Sequence, residues 1–239
     1  MLINTPFFAD LSTYTPQKTM AFYKALFNWK YYQENDYFMA YINNTAITGL
    51  YETPPKFKQL RMPHFWMTYI QVKNVTKIIE NVEKNGGRIE ISYELDVNEK
   101  VALVRDPLGA GFTIYEGSKL KNARTKDTKN TLIWNELHVS NLGKVIPFYQ
   151  NIFHWEFKKI RDDFYYIINE EKLHIGDILE IPNSYKGKYE YWVCTFGVEN
   201  LKLVKQKVME NGGSEITIDD NRILCTDNSK EAFFYLKEV

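Results

Sequence analysis

The chain has 239 residues, of which 44% are hydrophobic and 15% aromatic, and its 30 basic and 30 acidic residues give a formal charge of zero. That length is enough for two domains of ordinary size. The charge balance argues against a nucleic acid or a membrane surface as the main partner, because such partners need a basic excess. Four histidines and two cysteines show neither a zinc-ligand spacing nor a disulfide framework. With no signal peptide at the N-terminus and no apolar run of membrane-spanning length, the sequence predicts a cytoplasmic protein.

The first quarter of the chain predicts one strand, one helix and three more strands. A strand candidate at 7–12 is followed by Thr15-Pro16, which reads as a helix N-cap and a proline at the first helical position. Apolar residues at helical spacing follow over 20–27. Strand-like segments come next, with a hairpin turn at Asn43-Asn44 between the last two, at 29–33, 36–42 and 45–52.

The same order begins again at Phe65. A strand at 65–72 precedes a helix at 75–85, and Gly86-Gly87 supplies a left-handed C-cap. Three strand candidates complete the unit at 88–92, 100–105 and 112–116. The segment Asp106-Pro107-Leu108-Gly109 forms the turn before the last of them. The first half of the chain therefore predicts two βαβββ modules.

The second half repeats the first at an offset of 126 residues. Phe-Tyr-Lys-Ala-Leu-Phe-Asn-Trp at 22–29 aligns with Phe-Tyr-Gln-Asn-Ile-Phe-His-Trp at 148–155, and four of the eight residues are identical. The same offset carries Trp66 onto Trp192, which indicates a tandem repeat. Pro147 implies that the third helix starts late or bends. About five residues are missing between the second double glycine and the last strand. The polar segment at 119–130 is typical of a linker.

Four segments, taken with this order, carry a resemblance to a known family. They are 22–29, Pro63-His64-Phe65-Trp66, Asp106-Pro107-Leu108-Gly109-Ala110-Gly111-Phe112 and Trp134-Asn135-Glu136-Leu137. The chain resembles the vicinal oxygen chelate superfamily of glyoxalases, bleomycin resistance proteins and extradiol dioxygenases. Within it, the chain is similar to tandem two-domain glyoxalase-like proteins of bacteria, often labelled hydroxylase-like. The resemblance implies an α+β fold of two tandem glyoxalase-like domains, 1–118 and 132–239, with a linker at 119–131. In each domain two βαβββ modules form a cupped mixed β-sheet.

The resemblance also implies where a metal would be held. Metal-dependent members place His, Glu or Gln on the inward face of the first, fourth, fifth and eighth strands. The aligned positions carry Phe8, Thr48 or Gly49, Met67 and Thr113 in the first half, and Trp134, Ile175 or Gly176, Val193 and Phe234 in the second. None is a usual ligand of a divalent metal. His174 lies within one residue of a ligand position but stands alone. We therefore expect no metal and no other cofactor, which departs from the catalytic glyoxalase pattern.

Two acids occupy equivalent strand positions. Because alternate residues of a strand share a face, Asp10 lies with Phe8, and Glu136 and His138 lie with Trp134, on the side expected to line a cup. In an apolar cup Glu136 and His138 could serve as catalytic acid and base, or bind a ligand. Alternatively, the acids only bind backbone amides or an arginine. The residues predicted to bind ligand are Phe8, Asp10, Met67, Tyr69, Thr113, Tyr115, Trp134, Thr195 and Phe234.

Three functions are compatible with this pattern. The first is a metal-free protein, monomeric or homodimeric, that holds a small, partly apolar molecule in aromatic cups and has no nucleic-acid or membrane partner. The second is an enzyme of the same superfamily, a lyase, isomerase or dioxygenase type. It would use Glu136 and His138, or metal ligands other than the aligned ones. The third is a regulatory interaction protein whose cups are filled.

Overall fold

The computed structural model describes residues 2–218 and 221–239, and its elements begin with two βαβββ modules. The first module contains strand β1 (Thr5–Thr13), helix α1 (Pro16–Phe27) and strands β2 (Lys30–Glu34), β3 (Tyr37–Ile42) and β4 (Thr45–Glu52). A short helix, α2 (Pro55–Gln59), follows it. The second module contains β5 (Phe65–Gln71), α3 (Val75–Val82), a 3-10 turn (Glu83–Asn85), β6 (Arg88–Asp96), β7 (Glu99–Arg105) and β8 (Gly111–Glu116).

Two further modules repeat this order. The third has β9 (Leu132–Val139), α4 (Leu142–Phe153), β10 (Glu156–Arg161), β11 (Phe164–Ile168) and β12 (His174–Glu180), followed by the short helix α5 (Asn183–Lys186). The fourth has β13 (Tyr191–Val198), α6 (Leu201–Glu210), β14 (Ser214–Ile218), β15 (Arg222–Thr226) and β16 (Phe233–Glu238). The predicted α+β class, built from four βαβββ modules, is confirmed.

Helix α4 corrects one expectation. It begins at Leu142 rather than near Pro147, because the Asn141 side chain accepts a hydrogen bond from the Lys144 amide at 3.0 Å and caps the helix. Pro147 is accommodated inside the helix. At the other end, His154 adopts the left-handed conformation, with φ of 56°, as Asn28 does after α1.

Contacts divide the chain into two compact units, and each draws on both sequence repeats. Unit 1 comprises the segment ending at Phe7 together with Thr68–Asn122 and Asn135–Trp192. Unit 2 comprises Phe8–Met67, Ala123–Trp134 and Val193–Val239. The units thus combine the second module with the third and the first with the fourth. The division into domains at 1–118 and 132–239 follows the sequence repeat and stays a prediction.

In unit 1, helices α3 and α4 pack against each other beside two strand sets, β6-β7-β8-β5 and β10-β11-β12-β9. The buried core between them is rich in large apolar and aromatic side chains, including Ile70, Phe112, Leu137, Phe148, Phe153 and Trp192. In unit 2, α1 and α6 pack against each other beside the strand sets β2-β3-β4-β1 and β13-β16-β15-β14. Its core includes Ala9, Leu11, Phe22, Phe27, Phe196 and Phe234. Burial of these side chains is the main favourable term for each unit.

Each core is closed by an equivalent tryptophan, which follows α1 in unit 2 and α4 in unit 1. In unit 2, the buried Trp29 donates its Nε1–H to the Asn130 carbonyl at 2.7 Å. In unit 1, the buried Trp155 donates its Nε1–H to the Asn4 carbonyl at 2.7 Å. A buried indole N–H needs such an acceptor. These two bonds fix an irregular segment of the chain to each core. Across residues 2–218 and 221–239, no helix has the length and apolar character needed to cross a membrane.

Candidate functional site

The face that strand β9 turns away from the core of unit 1 carries an acid and a base. Leu137 and Val139 pack into that core, so their neighbours Glu136 and His138 lie on the opposite face. Both of these side chains have 0% exposure. The prediction that both lie on one face, away from the helices, agrees with this packing.

Glu136 and His138 contact each other directly. Glu136 Oε1 lies 2.6 Å from His138 Nε2, within hydrogen-bond distance. When the carboxylate is ionised the imidazole N–H donates to it, and when it is protonated the carboxyl O–H donates to the ring nitrogen. The ring of Tyr191 lies 5.4 Å from the imidazole, centroid to centroid. This arrangement can hold one proton between two atoms inside the protein, as a general acid or base requires.

A second polar pair lies on the neighbouring strand, β12. Asp177 stands opposite Glu136 in the parallel pairing of β12 with β9. The Asp177 carboxylate Oδ1 lies 2.7 Å from His174 Nε2, and the His174 ring stacks on Tyr166 with centroids 4.0 Å apart. The His174 side chain is 36% exposed, whereas Asp177 is largely buried. The partly exposed His174 therefore contacts Asp177, which stands opposite Glu136 of the buried pair.

Sequence reasoning missed Asp177 and Tyr166, for a physical reason. The pairing of β11 with β12 shifts register between Ile167 and Ile168, so that Ile167 pairs with Gly176 but Ile168 pairs with His174. Such a bulge breaks the two-residue alternation of side chains. His174 and Asp177 consequently meet, although simple alternation places residues three apart on opposite faces.

In unit 2, the acid equivalent to Glu136 has a different hydrogen-bond partner. Asp10 is also fully buried, but its Oδ2 accepts a hydrogen bond from the Tyr37 hydroxyl at 3.0 Å. Gly49 stands opposite Asp10 in the pairing of β4 with β1, and a Cβ atom there would lie 1.7 Å from the Tyr37 hydroxyl oxygen. Glycine is required at 49 because Tyr37 crosses it to reach Asp10. Ser12, equivalent to His138, pairs with Thr53 instead, with 2.9 Å between their hydroxyl oxygens.

The remaining predicted ligand residues fall into both units. In unit 1, Tyr69 and Thr113 are partners in the pairing of β5 with β8. Tyr115 is engaged locally, because its hydroxyl donates to Glu99 Oε1 at 2.8 Å. In unit 2, the ring of Trp134 has the Arg124 guanidinium 4.2 Å from its centroid. The other predicted residues of unit 2 with buried side chains are Phe8, Met67 and Thr195. A ligand-binding role for all these residues stays a prediction.

Phe234 was assigned to the wrong face. Its ring packs into the core of unit 2, 5.6 Å from Tyr23 and 6.3 Å from Phe22, centroid to centroid. The residue on the opposite face is Tyr235, which pairs with Thr195 and has the Arg222 guanidinium 4.2 Å from its ring. The alignment had to cross the shortened β14–β15 hairpin. A slip of one residue moves a side chain to the other face of a strand.

The donor side chains do not fit a metal centre of the superfamily type. At the aligned positions Phe8, Met67, Trp134 and Val193 carry no donor atom suited to a divalent ion. Among residues 2–218 and 221–239, no three His, Cys, Asp or Glu side chains are grouped so that they could hold a metal ion. No chemical step is therefore assigned to a metal.

Two further carboxyls, Asp106 and Asp227, are buried away from this site. In unit 1, Asp106 Oδ1 accepts from the amides of the turn that follows it, and Oδ2 accepts from the Tyr149 hydroxyl at 3.2 Å. In unit 2, Asp227 Oδ1 accepts from the Ser229 amide at 2.9 Å, and Oδ2 has no hydrogen-bond partner among the described residues. Burial raises the pKa of both Asp106 and Asp227 to about 6.

Comparisons of the sequence with a family model and with individual proteins agree with one another. Residues 8–114 match the model of the Glyoxalase/Bleomycin resistance protein/Dioxygenase superfamily. The chain is 26% identical over 223 residues to CFP32 of Mycobacterium tuberculosis (strain CDC 1551 / Oshkosh), which is provisionally named as a glyoxylase. That match covers 89% of this chain and 84% of CFP32. It is 22% identical over 230 residues to the anthracycline biosynthesis protein DnrV of Streptomyces peucetius, covering 87% of this chain and 82% of DnrV.

Solved structures show the same fold at low sequence identity. The 2,3-dioxygenase LapB from Pseudomonas sp. KL28 superposes with a TM-score of 0.66 at 11% identity, over 100% of this chain and 94% of LapB. The Mn(II)-bound glyoxalase from Novosphingobium aromaticivorans superposes with a TM-score of 0.63 at 10% identity, over 99% of this chain and 82% of that protein. At such identity the likeness concerns the fold alone.

Proposed function

We propose that the chain is a member of the glyoxalase/bleomycin resistance protein/dioxygenase superfamily, whose model matches residues 8–114, and that it binds a small, partly apolar molecule beside Glu136 and His138 without using a metal ion. The ligand class is a planar or ring-containing compound with at least one hydroxyl or carbonyl oxygen. Its polar oxygen would contact the Glu136–His138 pair, and its apolar part would contact neighbouring aromatic side chains such as Tyr191.

The observation that carries the proposal is the buried pair itself. Glu136 and His138 lie 2.6 Å apart at zero exposure, on the strand face opposite the apolar core. Removing two ionisable groups from water costs free energy that well-packed apolar side chains would not cost. Such pairs are over-represented at functional sites, because a ligand or a reaction can use their proton.

The choice of ligand class has two supports. An imidazole–carboxyl pair can both donate and accept a hydrogen bond, which suits a hydroxyl or carbonyl oxygen. The relative DnrV is an anthracycline biosynthesis protein. Planar aromatic compounds with phenolic and quinone oxygens fall within the ligand class proposed above. Because both side chains are fully buried, a ligand can reach them only after a neighbouring side chain moves. If the cups are filled, as in the regulatory hypothesis, a ligand would not reach Glu136 and His138.

A second candidate is a metal-independent isomerase or lyase, favoured by the same short contact. With its proton held by His138 Nε2, an ionised Glu136 could take a proton from a carbon next to a carbonyl group, and His138 could return one. The exposed His174 and the adjacent Asp177 offer groups through which that proton could exchange with solvent. The family's metal-dependent reactions are not assigned to this chain, because its donor side chains do not fit a metal.

The first experiment identifies the ligand and measures its affinity. Small molecules that co-purify with the native protein would be identified by mass spectrometry, and planar phenols and quinones would be titrated by calorimetry. We expect Glu136→Gln to weaken binding at least about tenfold, through loss of a charge-assisted hydrogen bond. Asp106→Asn is the matched control, since it changes a buried acid of the same unit on the helix side. Failure of every compound to bind, or equal weakening by both variants, would contradict the proposal.

A second measurement separates binding from catalysis. The protein would be incubated with an excess of a bound compound, and solvent deuterium incorporation and product formation would be followed by mass spectrometry. Exchange or turnover that is lost in His138→Gln supports the enzyme, whereas unchanged compound supports a binding protein. Elemental analysis of the same sample provides a further check, because about one Zn, Ni, Fe or Mn per chain, lost on mutation of His138 or His174, would overturn the metal-free reading.

A further inference from the structure

A buried amide side chain on strand β5 carries an oxygen that the chain does not satisfy. Gln71 is 4% exposed, and its Nε2 donates to the Gly117 carbonyl at 3.2 Å. Because a carbonyl oxygen can only accept, the amide nitrogen is the end that faces Gly117. The other end, Oε1, has no hydrogen-bond partner among the described residues. A buried acceptor in this state costs free energy that an apolar side chain of the same size would not.

The groups around Gln71 explain why the chain itself supplies no donor. Gln71 stands opposite Tyr115 in the pairing of β5 with β8. The Tyr115 hydroxyl donates its one proton to Glu99 Oε1 at 2.8 Å, and its oxygen accepts from the Leu120 amide at 3.0 Å. The Asn4 amide donates to the backbone carbonyl of Gln71 at 2.7 Å. The donor for Oε1 therefore has to come from a molecule other than the chain.

Gln71 holds in the second module the position that His138 holds in the third. The residues on either side of Gln71 pack into the core of unit 1, so its side chain lies on the opposite face of β5, as that of His138 does on β9. Gln71 lies three residues before Asn74, the N-cap of α3. His138 lies three residues before Asn141, the N-cap of α4. The face that carries the Glu136–His138 pair on one module thus carries Gln71 on the other.

A hydrogen bond between two equivalent residues ties these strands together. Asn135 Nδ2 donates to Thr68 Oγ1 at 3.1 Å, and both side chains are fully buried. Each residue lies six positions before the N-cap of its own module, so the two modules meet about this bond. Glu136 is one residue from it along β9, and Gln71 is three residues from it along β5. At roughly 3.3 Å per residue of strand, the two polar groups are separated by on the order of 10 Å.

We propose that Gln71 is the second polar contact of the ligand in unit 1, and that its Oε1 accepts a hydrogen bond from a hydroxyl or N–H group at the end of the ligand away from Glu136. This inference rests on the proposed function, because it concerns the same bound molecule. It narrows the ligand to a planar compound of two or three rings with an oxygen at one end and a hydrogen-bond donor at the other. A site with a buried acceptor discriminates against analogues that lack the donor, since they leave that acceptor unpaired.

Calorimetric titration of two quinones tests the role of Gln71. Anthraflavic acid has three fused rings with a hydroxyl at each end, and hydroxyanthraquinone lacks one of the two hydroxyls. The wild type should bind anthraflavic acid at least about tenfold more tightly than hydroxyanthraquinone. Gln71→Met keeps the length of the side chain and removes the acceptor, so it should reduce this preference to about twofold or less. Gln150→Met is the matched control, since Gln150 is exposed on α4 of the same unit, and it should behave as the wild type.

The outcomes separate this inference from the proposed function. Equal affinity of the wild type for the two quinones would show that water rather than ligand satisfies Oε1, and this comparison needs no variant to fold. A preference that Gln71→Met leaves intact would also overturn the role of Gln71. In both cases the proposed function still stands if Glu136→Gln weakens the binding of anthraflavic acid. If neither quinone binds the wild type, the inference fails together with the proposed function.

Discussion

The two units place a buried acid at the same strand position and surround it with different chemistry. In unit 2, Asp10 accepts a hydrogen bond from Tyr37, which lies across Gly49. In unit 1, Glu136 lies 2.6 Å from His138 and opposite Asp177. By repeat and strand register, Ser12 is replaced by His138 and Gly49 by Asp177. Tyr37 of β3 is likewise replaced by Phe164 of β11.

This difference separates a structural acid from a chemically versatile one. In unit 2 the Tyr37 hydroxyl donates a hydrogen bond to Asp10, which holds that carboxyl as an acceptor. An imidazole beside Glu136 offers ring nitrogens that can donate or accept a hydrogen bond. Repetition of the module thus preserves the scaffold while changes at a few strand positions alter the chemistry on one face.

The strongest test of equivalence concerns the two tryptophans that close the cores. Trp155→Ala and Trp29→Ala should each lower the free energy of unfolding by about 3–5 kcal/mol, because each removes a large buried ring and its bond to a backbone carbonyl. Urea unfolding followed by far-ultraviolet circular dichroism measures this. Costs that differ by more than about 2 kcal/mol would show that the repeat preserves the fold but not the energetics.

The second test concerns the buried carboxyls Asp106 and Asp227. Their pKa of about 6 in the folded protein lies above the usual value of 3.8, so the folded state binds the proton more tightly than the unfolded state does. The resulting stability is fully present below about pH 4 and is lost as the pH rises through 6. By linkage, the loss is about 3 kcal/mol for each group.

Asparagine substitutions distinguish the contributions of the two carboxyls to the pH dependence of stability. Asp227→Asn should flatten this pH dependence and stabilise the protein at pH 7, since its Oδ2 has no hydrogen-bond partner among the described residues. Asp106→Asn should gain less, because Tyr149 loses its acceptor. Melting curves between pH 4 and 8 decide this, and identical pH profiles for the wild type and Asp227→Asn would contradict it.

A third, smaller effect is expected at the position opposite each acid. Gly49→Ala forces Tyr37 away from Asp10 and should cost about 1–3 kcal/mol, as overpacking does. Asp177→Ala adds no atoms at the equivalent position of unit 1 and should cost less. Thermal unfolding of the two variants compares them, and the reverse order would mean that Asp177 matters more to stability than the Tyr37–Gly49 contact.

The smallest effect is expected at His174. It pairs with Asp177 at 2.7 Å but is partly exposed, so His174→Gln should change stability by less than about 1 kcal/mol. A larger loss in a chemical denaturation curve would show that His174 stabilises unit 1 rather than serving its site.

Much of the site was predictable because strand alternation is a local property. It placed Glu136, His138 and Asp10 on the strand faces opposite the cores, since β1 and β9 are regular there. The same reasoning failed at Phe234, where a shortened hairpin shifted the alignment by one residue. It also failed at Asp177, where a bulge in β11–β12 joined residues three apart.

By itself, the sequence determined the four βαβββ modules and their offset of 126 residues, because helical spacing, turn residues and repeats are properties of short segments. Only the tertiary structure decided that the compact units combine the second module with the third and the first with the fourth. It also decided that Tyr37 reaches Asp10, that His174 reaches Asp177 and that the outer end of β6 lies exposed. These features depend on strand register and packing between segments far apart in the chain, which no local pattern of residues encodes.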